Sequence, residues 1–457
     1  MKTKPVVLSI GLINKCKNPI AAVAFPVLSY GYLASVVMIV LSIVYMTGCN
    51  AKNNLSSGEK DLLVQLRNEI VFDLRENLIP FWMENSVDHN DRHNGFYGAI
   101  ESDGTGIENA SKHIVLFTRY LWTWSAAYRV LGEPDHLDLA HRAYDYINNN
   151  FTDRQYGGLF MELNSDGTVS DSSKMTYGLS FAIYGFSEYY RITQNRESLE
   201  KAIEIYNLLE NHALDSQYGG YLEMFSADWR HLEGEGVVAR GLAKSMNTHL
   251  HLLEAYTNLY RVWPDEGLKK QLHEIINIFL DHILNKETHH LELYFEKDWT
   301  VYGRFDSYGH DIEFSWLLIE AANVLGNDKL IDKTQEIAVS VARVQLDEGM
   351  NSEGAMIYEK TGEEYRKNIS WWVQAEAVVG FLNAWEISGH RKFLDASFGV
   401  WKYIEENMID RRYGGWFPDL NEDGEPFPGR LKGNAWTCPY HNVRMGLEVY
   451  ERAHDLY

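Results

Sequence analysis

Tyr156-Gly157-Gly158, with Asp166-Gly167 a short way on, is one copy of an element that recurs along the chain and decides its fold. Other copies read His93-Asn94-Gly95-Phe96-Tyr97-Gly98 to Asp103-Gly104, Tyr218-Gly219-Gly220 to Asp228-Trp229, and Tyr413-Gly414-Gly415 to Asp423-Gly424. Weaker ones run from Leu291 to Trp299 and from Asn351 to Gly362, which makes six at intervals of about sixty residues. The glycines permit the tight backbone of a short hairpin, and the Asp-Gly pairs supply its turn. Between copies the apolar residues keep helical period, as at Ile114, Phe117, Leu121 and Trp124, or Leu252, Leu253 and Tyr256. Each intervening span of about fifty residues has room for two helices and short connections. A unit that cannot bury its own apolar face stacks on its neighbours. Six helix pairs therefore predict an all-α (α/α)6 barrel, with its short β-hairpins gathered at one end and a pocket on the axis. An open solenoid is the alternative, but its terminal repeats would be atypical caps, and here the sixth copy is as strong as the first.

The chain of 457 residues is 45% hydrophobic, enough to bury a large core. Its 64 acidic against 42 basic residues leave a formal charge of −22, and no Lys/Arg-rich stretch interrupts it. Nucleic acid is excluded as a partner, because phosphate binding needs concentrated positive charge. Thirteen Trp and 28 Tyr are spread along the chain. Most belong to the core, while a minority lining a cleft would suit sugars, whose C–H faces stack on rings.

The first fifty residues are a targeting segment rather than part of the fold. Lys2, Lys4, Lys15 and Lys17 precede an apolar run from Ile20 to about Met46, which ends in Thr47-Gly48-Cys49. Small residues before a cysteine resemble the bacterial lipobox, in which that cysteine is lipidated. An uncleaved anchor helix is the other reading, since the run exceeds the ~20 residues that span a bilayer. Both put the protein on a membrane outside the cytoplasm. The expected organisation is a signal/lipoprotein segment over 1–49, a tether over 50–60 and a barrel over 61–457, acting as a monomer. Cys16, Cys49 and Cys438 match neither a zinc spacing nor a disulfide framework.

Ser307-Tyr308-Gly309-His310-Asp311-Ile312-Glu313-Phe314-Ser315-Trp316 carries the strongest local chemical signal. Spacing i, i+3 puts His310 and Glu313 on one helical face, so the carboxylate could hold one ring nitrogen and set a pKa near neutrality for acid–base work. A second cluster, Asn247-Thr248-His249-Leu250-His251, holds two histidines pointing to different sides of a helix, with His249 the buried, structural one. Trp436-Thr437-Cys438-Pro439-Tyr440-His441-Asn442 sets an aromatic and a histidine either side of a proline. Trp371-Trp372, with Gln374 and Glu376, is a candidate sugar platform, for which core packing is the plainer reading. Arg119, among apolar neighbours, needs an anion: a structural carboxylate, or a developing enediolate.

The strings TRYLWTWSAAYR (118–129), NTHLHLLEAYTNLYR (247–261), GHDIEFSWLL (309–318), WWVQAEA (371–377) and CPYHN (438–442) resemble the cellobiose 2-epimerases of the N-acylglucosamine 2-epimerase superfamily. The resemblance covers the chain after about Asp61, and that superfamily's (α/α)6 barrel agrees with the repeat count. It implies that His310 and His441 are the acid/base pair flanking C2, with Glu313 tuning His310, and that Arg119 and His251 stabilise the ring-opened enediolate. It further implies that Trp372 and Trp436 stack on sugar, with Tyr177 and Asn247 near the pocket. Glu376 and Trp316 are further substrate-binding candidates, and since no short His/Glu spacing supports a metal site, neither a metal nor a cofactor is expected. Thr118 and Phe314 depart from the pattern and are expected to reshape the pocket. The rival readings are an aldose–ketose isomerase on the same barrel, a glycoside hydrolase, which needs two carboxylates about the scissile bond, and a non-catalytic glycan-binding lipoprotein. The last two leave the histidines unexplained.

Overall fold

The computed structural model describes residues 55–233 and 242–454. The segment carrying Cys16 and Cys49 lies outside them. Six helices form an inner ring: α2 (Ile114–Leu131), α4 (Thr176–Thr193), α6 (Met246–Val262), α8 (Tyr308–Leu325), α10 (Trp371–Ser388) and α12 (Tyr440–His454). Six more lie outside: α1 (Ser57–Asp73, continuing through a wide turn into Ile79–Ser86), α3 (Pro134–Tyr146), α5 (Arg196–His212), α7 (Glu266–Ile278), α9 (Asp328–Glu348) and α11 (Arg391–Tyr403). The helix α1 opens inside the stretch expected as a tether. Ser56 and Glu59 form a reciprocal capping box there, each side chain accepting from the other's backbone N–H.

The two rings differ in pattern for a physical reason. In α2 every side chain from Ile114 to Ala127 is buried, as a helix enclosed on all sides requires. The outer helix α3 buries one face only, through His136, Leu139, Ala140, Ala143, Tyr144 and Tyr146. Gly132, Gly326 and Gly389 stop three inner helices in the left-handed region, at φ 76°, 68° and 68°, where a Cβ would be strained.

Each inner helix packs on the next, and α12 packs back on α2. The short strands repeat this closure at the hairpin end. Lys112–His113 pairs antiparallel with Glu162–Leu163, Lys174–Met175 with Met224–Phe225, Lys244–Ser245 with Tyr294–Phe295, and Ile369–Ser370 with Asp419–Leu420. Phe305–Asp306 pairs with the hairpin strand Glu359–Thr361. The sixth unit returns to the first, where the Ile100 N–H donates to the Gly433 carbonyl at 2.8 Å and the Gly433 N–H to that of Ile100 at 3.2 Å. A closed ring, not an open solenoid, is the observed architecture.

A buried lysine–aspartate pair ties four of the six units together: Lys112–Asp91, Lys174–Asp153, Lys244–Asp215 and Lys432–Asp410. The fourth unit has Asp306 and Asn285 where the first three and the sixth have lysine and aspartate, and the buried cation there is His290, 2.6 Å from Asp311. Burial pulls the His290 pKa down, but Asp311, then Asp306 and Glu348, override it and raise it to about 9. A group whose folded pKa lies above its unfolded value of ~6.5 gives stability that is full below that pH and fades as pH rises toward the folded value. The protein should therefore lose on the order of 2 kcal/mol between pH 6.5 and 9 relative to its His290→Gln variant. Denaturant unfolding across that range checks this; parallel curves for the two proteins would contradict it.

Candidate active site

The strands lead directly into the inner helices, so the first two turns of those helices surround the axial pocket at the hairpin end. A cavity of about 220 Å³ is lined there by Arg119, Tyr177, Asn247, His251, His310, Glu313, Tyr358, Trp371, Trp372, Trp436 and His441. The placement is periodic. Tyr177, Asn247, Trp372 and His441 are each the second residue of an inner helix, and Arg119, His251, Glu313 and Glu376 each the sixth. Spacing i, i+4 keeps the second and sixth positions on one face, and that face looks onto the axis.

Beneath the pocket lies Arg444, 1% exposed and not singled out by the sequence reading. Its Nη2 donates to Glu313 at 2.5 Å and to Glu376 at 2.7 Å, and its Nη1 contacts Glu254 and the Tyr440 hydroxyl. Two of these carboxylates support histidines: Glu376 Oε1 faces His441 Nδ1 at 2.7 Å, and Glu254 Oε2 faces His251 Nδ1 at 3.0 Å. Three glutamates from three helices thus share one guanidinium. Burial pushes the Glu313 carboxyl well above its ordinary range, with the neighbouring Glu376 adding to the shift.

His310 does not pair with Glu313 as expected. It sits in the first turn of α8, where its Nδ1 reaches back to Ser307 Oγ at 2.7 Å, while Glu313, one turn deeper, is drawn down to Arg444. Burial, with His251 nearby, lowers the His310 pKa to about 3 instead of leaving it near neutrality. Burial, then Arg444 and Arg119, holds His441 well below its usual value too. Both rings lie against Trp372, with centroids 4.7 and 5.6 Å from it.

Arg119 donates to the Tyr177 hydroxyl at 2.7 Å and the Trp436 carbonyl at 3.1 Å, and lies over the rings of Phe181 and Tyr440. Among the described residues no carboxylate pairs with it, although it is only 3% exposed. A buried cation without a protein anion is costly. Asn247 Oδ1 and Glu313 Oε2 are buried without a hydrogen-bond partner and belong to residues of the pocket wall, as suits groups that take sugar hydroxyls.

Other expected positions fall elsewhere. Trp316 is buried behind the wall, its Nε1 donating to Glu376 at 3.0 Å, so both residues support His441 rather than line the cavity. Gln374 is tied to the backbone of Met356. His249 is structural, Nδ1 against the Ser245 carbonyl and Nε2 accepting from the Tyr221 N–H. Phe314 stacks on Phe279 and Thr118 Oγ1 donates to the Ile114 carbonyl; neither reaches the pocket they were expected to reshape. Tyr358, unforeseen, comes from the hairpin between α9 and α10 and carries no local sequence signal.

Glu313, Glu376 and His441 place one ligand atom each within 4.8 Å of one another, the one grouping among the described residues that could suit a metal. Arg444 already bridges the two carboxylates, so the positive charge a metal would bring is supplied by protein. Activity should survive a strong chelator; loss of turnover restored by one divalent ion would show that a metal takes part.

A closed ring of helix pairs around a pocket for about one pyranose, with histidines, an arginine that no carboxylate among the described residues pairs with, and stacking tryptophans, defines a carbohydrate-converting enzyme that works by proton transfer. The comparisons agree. The N-acylglucosamine 2-epimerase (GlcNAc 2-epimerase) family model matches residues 95–444, and the chain belongs to that family. It is 41% identical over 388 residues to a cellobiose 2-epimerase of Bacteroides fragilis, covering 84% of this chain and 98% of that one. A cellobiose 2-epimerase of Ruminococcus albus is 37% identical over 85% of this chain and 99% of its own length. The solved structure of the Bacillus thermoamylovorans cellobiose 2-epimerase superposes with a TM-score of 0.81 at 37% identity, covering 85% of this chain and 99% of that one.

Proposed function

We propose that the protein epimerises C2 of the reducing-end sugar of a β-1,4-linked disaccharide, converting cellobiose to glucosyl-mannose or mannobiose to mannosyl-glucose. The observation that carries this is Arg119, a buried guanidinium that no carboxylate among the described residues pairs with, beside two histidines whose Nδ1 atoms are occupied from behind. An enediolate supplies the missing anion, and it exists only when the sugar ring has opened and C2 has lost its proton. One histidine takes that proton from one face, and the other returns a proton to the opposite face. The cavity holds one ring, so the second sugar extends past Trp436, which is 47% exposed at the rim. A hydrolase would need two carboxylates free to flank a glycosidic bond, whereas Glu254, Glu313 and Glu376 are engaged by Arg444.

Incubation with each disaccharide in heavy water tests the reading. Deuterium at C2 of an epimerised reducing-end sugar supports it; a ketose product indicates isomerisation, and monosaccharides indicate hydrolysis.

Lipidation of Cys49 and a membrane location outside the cytoplasm are proposed from the sequence alone, as is action as a monomer. Cys49→Ala should abolish lipid labelling and release the protein from the membrane fraction. Retention with no label on the unmutated protein would point to an anchor helix.

A further inference from the structure

His310 and His441 differ in what stands behind them. The partner of His441 Nδ1 is the Glu376 carboxylate, which is already bound by Arg444 and by the Trp316 indole N–H. A carboxylate so engaged only accepts, so Nδ1 carries the proton and Nε2 keeps its lone pair. The partner of His310 Nδ1 is a serine hydroxyl, which can donate or accept. Ser307 occupies the N-cap position of α8, where a serine ordinarily accepts from the first turn, yet its side chain makes no capping bond. His310 Nδ1 is its one side-chain hydrogen-bond partner among the described residues, and Ser307 is 3% exposed. Were Nδ1–H to donate to Oγ, the hydroxyl proton would be left without a protein acceptor. With Oγ–H donating to Nδ1, both groups are satisfied, and the proton of His310 is on Nε2.

We propose that Ser307 is a positioning residue that sets His310 in the Nε2–H tautomer, opposite to that of His441, so that the resting site offers one proton acceptor and one donor. His441 then meets the substrate as a base, and His310 as a hydrogen-bond donor to a sugar oxygen, which suits assistance to ring opening before C2 is deprotonated. The hydroxyl also permits what a carboxylate would resist. In the other tautomer, with the ring proton on Nδ1 and Nε2 free to act as the base on the opposite epimer, the Ser307 hydroxyl turns from donor to acceptor by rotation about one bond, and Nδ1–H is satisfied in its turn. The kinetic consequences rest on the epimerase reading above; the tautomers do not.

The tautomers can be read by ¹⁵N NMR of the histidine-labelled protein, in which protonated and lone-pair ring nitrogens resonate far apart. Signals are assigned by their loss in His310→Asn and His441→Asn. The expected result is Nε2–H at His310 and Nδ1–H at His441, with Ser307→Ala shifting His310 toward Nδ1–H and Ser307→Thr leaving it in place. Ser307→Ala should also lower kcat about tenfold, the scale of one neutral hydrogen bond, with KM within about twofold, and Ser307→Thr should recover it. An Nδ1–H tautomer at His310 in the unmutated protein, a tautomer indifferent to Ser307→Ala, or a threonine variant as impaired as the alanine one overturns the proposal. Failure of the epimerase reading would show separately, as no C2 deuterium with the unmutated enzyme.

Discussion

Replacing His441 or His310 by Asn lowers epimerisation by at least ~10²-fold, the usual scale for a lost acid/base group. Asparagine keeps part of the volume and a hydrogen bond to Glu376 or Ser307, so the fold should persist while the proton carrier is gone. The two variants should not fail identically. Each retains one histidine and hence access to one face of C2, so each can still exchange the C2 proton of one epimer with heavy water while failing to form the other. Rates of C2 deuteration measured from both epimers distinguish this from a general collapse of the site. Near-normal turnover in both directions by both variants would mean that another pair of groups carries the proton.

Arg444→Met destabilises the protein by roughly 3–5 kcal/mol, the cost of stripping the partner from buried charge. Glu254, Glu313 and Glu376 are each no more than 3% exposed, and all three rely on this guanidinium. Without it they must bind protons or draw in water, and His251 and His441 lose fixed supports. Turnover should fall with stability. Glu313→Gln placed in the Arg444→Met background should restore part of the loss, because it removes one uncompensated carboxylate, and a double-mutant cycle by denaturant unfolding measures the coupling. An Arg444→Met protein within about 1 kcal/mol of the parent would show that the cluster tolerates the vacancy.

The repeat of Gly-rich turns made the helix pairs and their number legible, because a hairpin needs its glycines wherever it occurs. Ring closure also followed, since the sixth unit at Tyr413-Gly414-Gly415 has the character of an interior repeat. Less of the site could be read. His310 and Glu313 have the spacing of a pair, but a helix only places them on one side; Arg444 decides where Glu313 turns, and its three glutamates lie far apart in sequence. A better signal was present. His251, His310 and His441 each lie in the first two turns of an inner helix and are each followed three residues later by a charged group, Glu254, Glu313 and Arg444. Seen together, these three pairs mark a second layer one turn below the first. Trp316 was misplaced for a similar reason: nothing local distinguishes an indole that faces the cavity from one that holds the residue behind it.

The contact between Ile100 and Gly433 has a consequence for biosynthesis. The last helix brings His441 and Arg444, and it also joins the final unit to the first. A nascent chain lacking α12 has an unclosed ring, three glutamates without their shared cation and a substrate site without one of its histidines. Contacts of such long sequence separation form late in folding. Catalytic competence therefore waits for α12, and a product that stops before this helix has neither a finished wall nor chemistry to perform behind it.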